Sequence, residues 1–414
     1  MLTKFKNLLF TKTGKDTGIV LAGTVINVIA GGLFFVIAPR LLGPGDFGIF
    51  STVVGTCLLA VSISSFGIDT GILKFATRTS PNAPFILSVA LKSYLVIGAT
   101  VAIVGVSVAP LIANLLGEPH ITPYLRIGFA GVIFILLTNF FVAALQARQE
   151  FFKASLITIS ANLSRLLVLA IGAYFFMINL YFLTALYFFI TVISIIVGKS
   201  QLSFSIKKFD KNIASGFFKY NSWIGASMAI ASIPLDNYFL LKFAGPTETG
   251  LYAAPYKLLT VAYQFGGNYT SVLASRFASM QSKEGVIIFS KKAAILIALF
   301  SIGVLGLAIL AKPLILVVFG NNYAGSVRVF QILSIGFIFF FASIIPSSII
   351  LYYLGKSNIS FRITALRVGV FICALMFLVP KYKAIGGAWA FTLSEAIVFL
   401  TLCLYLIINL AKRK

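Results

Sequence analysis

The sequence predicts an all-α polytopic membrane protein, with about twelve transmembrane helices in two parallel six-helix lobes around a central cavity. The chain is 59% hydrophobic and 10% charged, with a mean hydropathy of +1.03, whereas soluble domains carry about 25% charged residues. Apolar runs long enough to cross the hydrocarbon recur along the whole chain. A short motif also occurs twice at a fixed offset, which indicates two homologous halves.

Twelve apolar stretches have the length of about 20 residues that a transmembrane helix needs. They lie near 17–39, 47–67, 85–110, 123–147, 154–177, 179–198, 217–243, 249–272, 286–311, 325–353, 358–379 and 384–410. Together they use most of the apolar residues, so we expect no sizeable soluble domain. The first stretch is longer than the apolar core of a signal peptide, and we expect it to be a retained helix.

The lysines and arginines alternate in number from loop to loop. With the N-terminus inside, the cytoplasmic segments hold 22 of them and the outer segments hold 6. This positive-inside bias places both termini in the cytoplasm. We therefore interpret the net charge of +23 as a topology signal facing anionic membrane lipids, and we expect no nucleic-acid partner.

The repeated motif reads GPGDFGIF at Gly43–Phe50 and GPTETGLY at Gly245–Tyr252, 202 residues later. The longest cytoplasmic connection runs from about residue 199 to 216, and we place the boundary between the lobes there, giving lobes 1–205 and 206–414. Because each lobe has an even number of spans, the two are parallel repeats, and the cleft between them is the natural place for a substrate.

Each repeated octapeptide is predicted to form the outer turn between the first two spans of its lobe. Gly-Pro breaks the preceding helix. The acid of the motif, Asp46 or Glu248, follows near the N-terminus of the next helix, where negative charge is favourable. We interpret the motif mainly as a helix-hairpin cap and only secondarily as a substrate contact.

A charge near the centre of a bilayer costs about 2.5–3.5 kcal/mol, so such side chains normally face a cavity or a partner. The embedded charges are the bases Lys92, Arg126, Arg165, Lys257 and Arg367 and the acids Asp236 and Glu395. Arg126 lies near the end of its span and can extend to the surface. Arg165 and Arg367 are deep and occupy equivalent positions of the repeat.

Polar residues share helical faces with the deep bases. We predict that the substrate is bound by Arg165, Lys257, Arg367, Lys92, Asn162, Thr364, Gln264 and Tyr256. For each base, a structural ion pair or interhelical hydrogen bond is the alternative to cavity lining. Asp236 is either a site for a coupling ion or the partner of Lys257, Arg40 or Lys242, and Glu395 is a possible partner of Arg367.

Nothing in the chain predicts an enzyme. The three cysteines, Cys57, Cys373 and Cys403, lie within spans at spacings that fit no metal or redox site, and there is one histidine, His120. Nucleophile triads, zinc motifs, P-loops and dinucleotide-binding motifs are absent from the sequence. We expect neither a metal nor a cofactor, and coupling to H⁺ or Na⁺ remains open.

Three segments carry a resemblance to a known family: GTVINVIAGGLFFVIAPRLLGPGDFGIFST at Gly23–Thr52, SSFGIDTGILKFATR at Ser64–Arg78 and PLDNYFLLKFAGPTETGLYAAPYKL at Pro234–Leu258. In these segments the chain resembles the oligosaccharide (Wzx-type) flippases, the polysaccharide-transporter branch of the MOP (MATE-like) superfamily. The resemblance covers the whole chain and indicates the family without identifying the transported glycan.

The resemblance implies two six-helix lobes that form a V around a cationic cavity. It implies movement of undecaprenyl-pyrophosphate-linked oligosaccharide, for O-antigen or capsule, from the inner to the outer leaflet of a bacterial-type cytoplasmic membrane. An anionic polyprenyl-pyrophosphate glycolipid is the expected partner, with glycan assembly machinery as a further partner. Embedded bases outnumber embedded acids, which agrees with an anionic cargo.

Three other transporter classes compete with this interpretation. A MATE-like multidrug/cation antiporter needs acids in its cleft, and spans one and three to six of the first lobe contain none. A lipid II flippase typically has two extra helices that this chain lacks. A major-facilitator transporter carries a GxxxDRxGRR-like signal where this chain reads GILKFATRTSP.

Overall fold

The computed structural model describes residues 12–77, 80–202, 233–278, 280 and 282–411, and within these ranges every long element is a helix. The helices before residue 203 are α1 (Lys12–Ser65), α2 (Ile68–Phe75), α3 (Ala83–Leu115), α4 (Thr122–Ala147), α5 (Phe151–Tyr174), α6 (Leu180–Phe189) and α7 (Thr191–Gln201). The later helices are α8 (Leu235–Ala244), α9 (Pro246–Ala278), α10 (Lys283–Ile309), α11 (Ala311–Phe319), α12 (Ser326–Ser348) and α13 (Ser357–Ala411).

Eight helical segments of the described residues are long and apolar enough to cross a membrane. Two of them contain a sharp break, at Gly43 (φ 74°) in α1 and at Lys383 (φ 50°) in α13. Each of these two therefore corresponds to two of the spans that the sequence predicts. The prediction of an all-helical, multi-pass membrane protein is confirmed, while the count of twelve and the orientation of the termini stay predictions.

The break in α1 follows from two adjacent residues. Gly43 adopts a positive φ without a steric penalty, and Pro44 has no N–H to donate to the preceding turn. The buried hydroxyl of Tyr323 donates to the carbonyl of Pro39 at 3.1 Å. Arg40 Nη1 donates to the carbonyl of Val317 at 3.1 Å. The end of the first span is thereby attached to the segment around α11.

The chain divides into two compact units. The first comprises Met1–Phe34 and Ile49–Pro234, and the second comprises Phe35–Gly48 and Leu235–Lys414. The predicted lobe boundary after residue 205 falls outside the described residues and stays a prediction. The second half of the first span, together with most of its hairpin, belongs to the unit built from the C-terminal half of the sequence.

Glycines allow close packing of helices inside the first unit. Glycine lets backbones approach where the lipid supplies no hydrophobic driving force between helices. A Cβ at Gly98 would lie 2.8 Å from the side chain of Ile133, and one at Gly105 would lie 2.3 Å from the ring of Phe129. These contacts join α3 to α4.

The core of the second unit is centred on α12, which packs against α9, α10 and α13. The buried hydroxyl of Thr392 donates to the carbonyl of Ile332 at 2.8 Å. A Cβ at Gly336 would lie 2.7 Å from the ring of Phe391. This packing places the second half of α13 directly on α12.

The two repeated octapeptides contact each other through reciprocal glycine–proline approaches within the second unit. A Cβ built on Gly48 would lie 2.0 Å from the carbonyl oxygen of Pro246. A Cβ built on Gly250 would lie 1.8 Å from the carbonyl oxygen of Pro44. Only glycine permits this approach at either position, and we call the four residues the glycine clasp.

The clasp has the symmetry of the repeat. Gly48 corresponds to Gly250, and Pro44 to Pro246, at the same offset of 202 residues. The next equivalent pair, Gly45 and Thr247, also meets, since a Cβ on Gly45 would lie 3.7 Å from Thr247 Oγ1. A residue that contacts its own equivalent lies on or near a local two-fold axis.

The acids of the two octapeptides differ in their surroundings. Asp46 is exposed. Glu248 lies in the first turn of α9, as the cap interpretation predicts, and it accepts a hydrogen bond from Ala384 N at 3.2 Å. Lys383 Nζ lies 3.8 Å from the same carboxylate. Glu248 therefore also stabilises the break in α13.

We expect Gly48→Ala and Gly250→Ala each to lower the melting temperature of the detergent-solubilised protein. The added Cβ collides with a backbone carbonyl that cannot rotate away, and overpacking of this kind costs about 1–3 kcal/mol. Thermal-shift measurement of the purified variants tests this, with the two substitutions expected to have similar effects.

Gly306→Ala is the matched control. Gly306 lies inside α10, and a Cβ there meets nothing within 4 Å. Alanine is favoured over glycine in a helix, so this substitution should not lower the melting temperature. If both clasp variants melt at the wild-type temperature, the close approach of each glycine to a proline carbonyl is contradicted.

Candidate functional site

Among the predicted site residues whose side chains the structure describes, Arg165 is the one that is buried. Its side chain projects from α5 in the first unit, and the residue is 8% exposed. Nη1 donates to Asn162 Oδ1 at 3.0 Å, and Nη2 donates to the carbonyl of Tyr187 at 3.2 Å. The guanidinium is thus held from both its own helix and α6.

Two aromatic rings lie against the same guanidinium. The carbon of the Arg165 guanidinium lies 4.5 Å from the ring centroid of Tyr187 and 5.5 Å from that of Phe34. Phe50 meets the Tyr187 ring edge-on, with ring centroids 5.8 Å apart. Ring faces are electron-rich and stabilise a cation that has left water.

A hydrogen-bonded chain connects Asn162 to the first helix. Asn27 Nδ2 donates to Thr158 Oγ1 at 2.7 Å, and Asn162 Nδ2 donates to Asn27 Oδ1 at 3.2 Å. Thr158, Asn162 and Arg165 share one face of α5, as predicted. Asn27 was not among the predicted site residues. The feature of the sequence that could have identified it is an isolated amide side chain in the apolar run of the first span.

The charge of Arg165 has no carboxylate partner among the ion pairs of the described residues. Its Nε is buried and makes no hydrogen bond. The positive charge is stabilised by an amide, a carbonyl and two ring faces, none of which carries a formal negative charge. We call Asn27, Thr158, Asn162, Arg165 and Tyr187 the Arg165 cluster, and its chemistry suits an anionic ligand.

Lys257 occupies the second unit. Its Nζ lies 5.2 Å from the ring centroid of Phe35, and it interacts electrostatically with the carboxylate of Asp236. Asp236 lies in the first turn of α8, where its Oδ1 accepts a hydrogen bond from the backbone N–H of Asn237 at 2.9 Å. Of the three bases proposed as partners of Asp236, the structure brings Lys257 near it.

Two further predicted residues lie on the same helix as Lys257. Tyr256 belongs to an aromatic group, stacked on Tyr252 with ring centroids 5.6 Å apart and edge-on to Phe391 at 5.7 Å. Its ring is therefore part of the packed interior of the second unit. The side chain of Gln264 lies outside the described residues.

Arg367, the equivalent of Arg165 in the repeat, has a different partner. Its Nη1 lies 3.0 Å from Glu395 Oε1, and Glu395 is 2% exposed. Thr364, predicted to share the face of Arg367, donates to the carbonyl of Ser360 at 3.0 Å. The ion pair offered as the alternative for Arg367 is present in the structure.

The remaining predicted bases lie at the surface of the described chain. Lys92 on α3 and Arg126 on α4 are both exposed. The exposure of Arg126 agrees with its predicted place near the end of a span, since a long side chain there can reach the membrane interface.

Asp69 is a half-buried acid that was not among the predicted site residues. It lies in the first turn of α2, beyond the end of the second predicted span, and Oδ1 accepts a hydrogen bond from the hydroxyl of Tyr94 at 2.6 Å. Burial raises the pKa of the Asp69 carboxyl, and the hydrogen bond from Tyr94 acts in the opposite direction. Within the described ranges, no group of three or more metal-ligating side chains is arranged to hold a metal ion.

Comparison with known proteins gives a consistent set of relatives. Residues 36–328 match the family described as polysaccharide biosynthesis protein. The capsular polysaccharide biosynthesis protein CapF of Staphylococcus aureus is 25% identical over 191 residues, covering 44% of this chain and 46% of that protein. A putative O-antigen transporter of Shigella flexneri is 25% identical over 208 residues, covering 48% of this chain and 50% of that protein. The matched region therefore spans about half the length of these two relatives.

A third relative matches over a longer range. The lipopolysaccharide biosynthesis protein WzxC of Escherichia coli K12 is 22% identical over 389 residues, covering 90% of this chain and 76% of that protein. Among solved structures, an inward-facing multidrug MATE transporter of the MOP superfamily has a TM-score of 0.75 at 13% identity, covering 94% of this chain and 95% of that one. The lipid II flippase MurJ has a TM-score of 0.74 at 15% identity, covering 94% of this chain and 87% of that one. The likenesses to these two solved structures show the fold.

We expect Arg367→Met to destabilise the protein more than Arg367→Met/Glu395→Leu. The single substitution leaves the carboxylate of Glu395 buried and unpaired, which costs about 3 kcal/mol, whereas an apolar pair leaves no charge behind. Thermal-shift measurement of the single and double variants tests this. Arg165→Met, which leaves no carboxylate unpaired, is the control and should cost less than Arg367→Met. Equal melting of the single and double variants would contradict the ion pair.

Proposed function

Because this chain belongs to the polysaccharide biosynthesis protein family, we propose that it moves a polyprenyl-pyrophosphate-linked oligosaccharide from the inner to the outer leaflet of the bacterial cytoplasmic membrane. Transport proceeds by alternating access through a cationic cleft. The observation that carries the proposal is the Arg165 cluster, a buried guanidinium without a carboxylate partner among the described residues. The structural neighbours are transporters and flippases, and we propose that this chain likewise performs no covalent chemistry.

The charge of Arg165 supports an anionic cargo. A charged side chain at the centre of a bilayer costs about 2.5–3.5 kcal/mol, and a chain retains such a residue when something offsets that cost. Aromatic faces and amide dipoles offset part of it. A pyrophosphate group accepts the charge-assisted hydrogen bonds that the guanidinium still offers, including one from the unpartnered Nε.

The membrane also supplies a driving force. An inside-negative potential favours outward movement of negative charge by about 2.3 kcal/mol per charge per 100 mV. The polyprenyl chain stays in lipid while the head group crosses. We propose Asp236, beside Lys257, as the residue through which H⁺ or Na⁺ can couple to this movement.

A MATE-like antiporter of cationic compounds is the alternative, and the half-buried Asp236 and the buried Glu395 favour it. However, Glu395 is paired with Arg367, and Asp236 interacts with Lys257. The ion pair compensates the charge of Glu395, and the positive charge of Lys257 opposes the approach of a bulky organic cation to Asp236. Lipid II is a second alternative cargo, since it too carries a polyprenyl pyrophosphate.

Translocation of a fluorescent polyprenyl-pyrophosphate oligosaccharide in proteoliposomes tests the proposal. We expect movement well above that in empty vesicles. Arg165→Ala removes charge-assisted hydrogen bonds worth about 1.5–3 kcal/mol and should slow transport about tenfold or more. Arg126→Ala, which removes an exposed arginine from the same unit, is the matched control and should transport like wild type.

Two results would contradict the proposed function. One is efflux of a cationic dye together with glycolipid movement no faster than in empty vesicles. The other is wild-type transport by a folded Arg165→Ala variant. Movement of lipid II in place of the oligosaccharide-linked lipid would keep the anionic mechanism and change the cargo.

Asp236→Asn tests ion coupling separately. If Asp236 carries the coupling ion, the variant should transport at a rate that no longer depends on an imposed pH or sodium gradient. The same gradients applied to wild type provide the reference. Unchanged gradient dependence in the variant would remove Asp236 as the coupling residue.

A further inference from the structure

Arg165 and Arg367 occupy equivalent positions of the repeat but differ in whether the sequence supplies an acidic partner. Arg367 pairs with Glu395, which lies 28 residues further along. The residue 28 positions after Arg165 is Ile193. One arginine therefore has a carboxylate partner where the other has an aliphatic residue.

Arg367 and Glu395 lie in a hydroxyl-rich pocket of the second unit. The pocket has a volume of about 430 Å³, and its hydroxyl groups come from Thr270, Ser343, Ser347, Ser360 and Thr364. Ser360 Oγ is buried and makes no hydrogen bond. A buried hydroxyl without a partner is costly in a protein interior, and each such case calls for an explanation.

The ion pair leaves binding capacity unused. A guanidinium has five N–H donors, and Arg367 uses Nη1 for its hydrogen bond to Glu395. The Arg367 side chain is 41% exposed, whereas that of Glu395 is 3% exposed. Both residues line the pocket, and the arginine is the more accessible of the two.

Charge decides whether this pocket attracts an anion. Of the described residues that line it, α9 contributes Thr270, and α12 contributes apolar and serine side chains. The titratable groups of the lining are Arg367 and Glu395, both on α13. While Glu395 is ionised the two charges cancel, and when Glu395 is neutral the pocket carries a full positive charge.

Resting on the proposed function, we propose that this pocket is a second phosphate-binding subsite, which the ionised Glu395 keeps closed and which opens when Glu395 takes up a proton. The proton comes from water and goes to a carboxylate oxygen, so that Arg367 is released to bind a phosphate group of the substrate. Hydroxyl groups of the pocket complete the hydrogen bonding. By linkage, binding of the anion promotes uptake of the proton, and uptake of the proton promotes binding.

Glu395→Gln is the decisive variant. Glutamine has the same shape and keeps an oxygen that accepts the hydrogen bond from Arg367, but it cannot carry charge. Binding of inorganic pyrophosphate and of a short-chain polyprenyl pyrophosphate to the purified full-length protein is measured at about pH 8 and about pH 5.5. At any one pH the ligand has the same ionisation state with wild type and with the variant. The ratio of wild-type Kd to variant Kd at that pH therefore reports the effect of Glu395 alone.

At about pH 8 we expect the variant to bind about tenfold or more tightly than wild type, and at about pH 5.5 we expect the ratio to approach one. Arg367→Met/Glu395→Leu should bind weakly at both pH values, because it has neither the guanidinium nor the titrating carboxylate. A ratio of one at both pH values, or tight binding by the double variant, would overturn the subsite. An effect seen with pyrophosphate alone would overturn the assignment to the lipid-linked substrate.

A second measurement does not depend on the folding of Glu395→Gln, because it compares wild type with the double variant. Wild-type protein in weakly buffered solution should take up as much as one proton per bound pyrophosphate beyond what the ligand itself exchanges, and the double variant should not. Equal uptake by both proteins would count against the subsite. If the proteoliposomes move glycolipid but the Kd ratio is one, only the subsite fails. If the ratio is as expected with pyrophosphate but no glycolipid moves, the flippase proposal fails.

Discussion

The absence of water inside the hydrocarbon layer determines both the fold and the site. Backbone groups there must bond to protein, which is why the spans are helices. Where α1 breaks, the carbonyl of Pro39 receives a hydrogen bond from Tyr323. Side-chain charges obey the same rule: Glu395 is bonded by Arg367, and Arg165 is held by Asn162 and two rings. The positions of the embedded charges are therefore set by what can replace water around them.

Because the chain contains a repeat, the surroundings of its embedded charges can be compared between equivalent positions of the two halves. Asp236 of the second half corresponds to Phe34 of the first, and Glu395 corresponds to Ile193. At both positions the first half has an apolar residue where the second has an acid. Phe34 even contributes one of the ring faces that stabilise Arg165. The two halves thus share the arginine, while at these two positions only the second half has an acid.

Hydropathy sufficed to predict the fold class, because length and apolarity alone decide whether a helix can cross a bilayer. The location of Arg165 and Arg367 within long apolar runs is readable in the same way. The partners of Arg165 are not: Asn27 is one amide in an apolar run, and Tyr187 is one of 16 tyrosines. Helical periodicity relates only residues three or four apart, so the pairing of Arg367 with Glu395 was predicted from the need of an embedded charge for a partner and not from their spacing. The second lobe's Glu248 was placed correctly in its helix, but its bond to Ala384 had no sequence signal.

The glycine clasp also bears on how such a chain arose. In a two-fold symmetric homodimer, each residue that touches a partner residue is touched in return by that residue's copy. The pairs Gly48–Pro246 and Gly250–Pro44 have this reciprocity within one polypeptide, and residues 35–48 pack in the unit of the other half. Two identical six-helix chains that exchanged one end of their first helices would have made the same contacts. Gene fusion would then have converted a domain-swapped dimer into a single chain, after which the halves were free to acquire different acids.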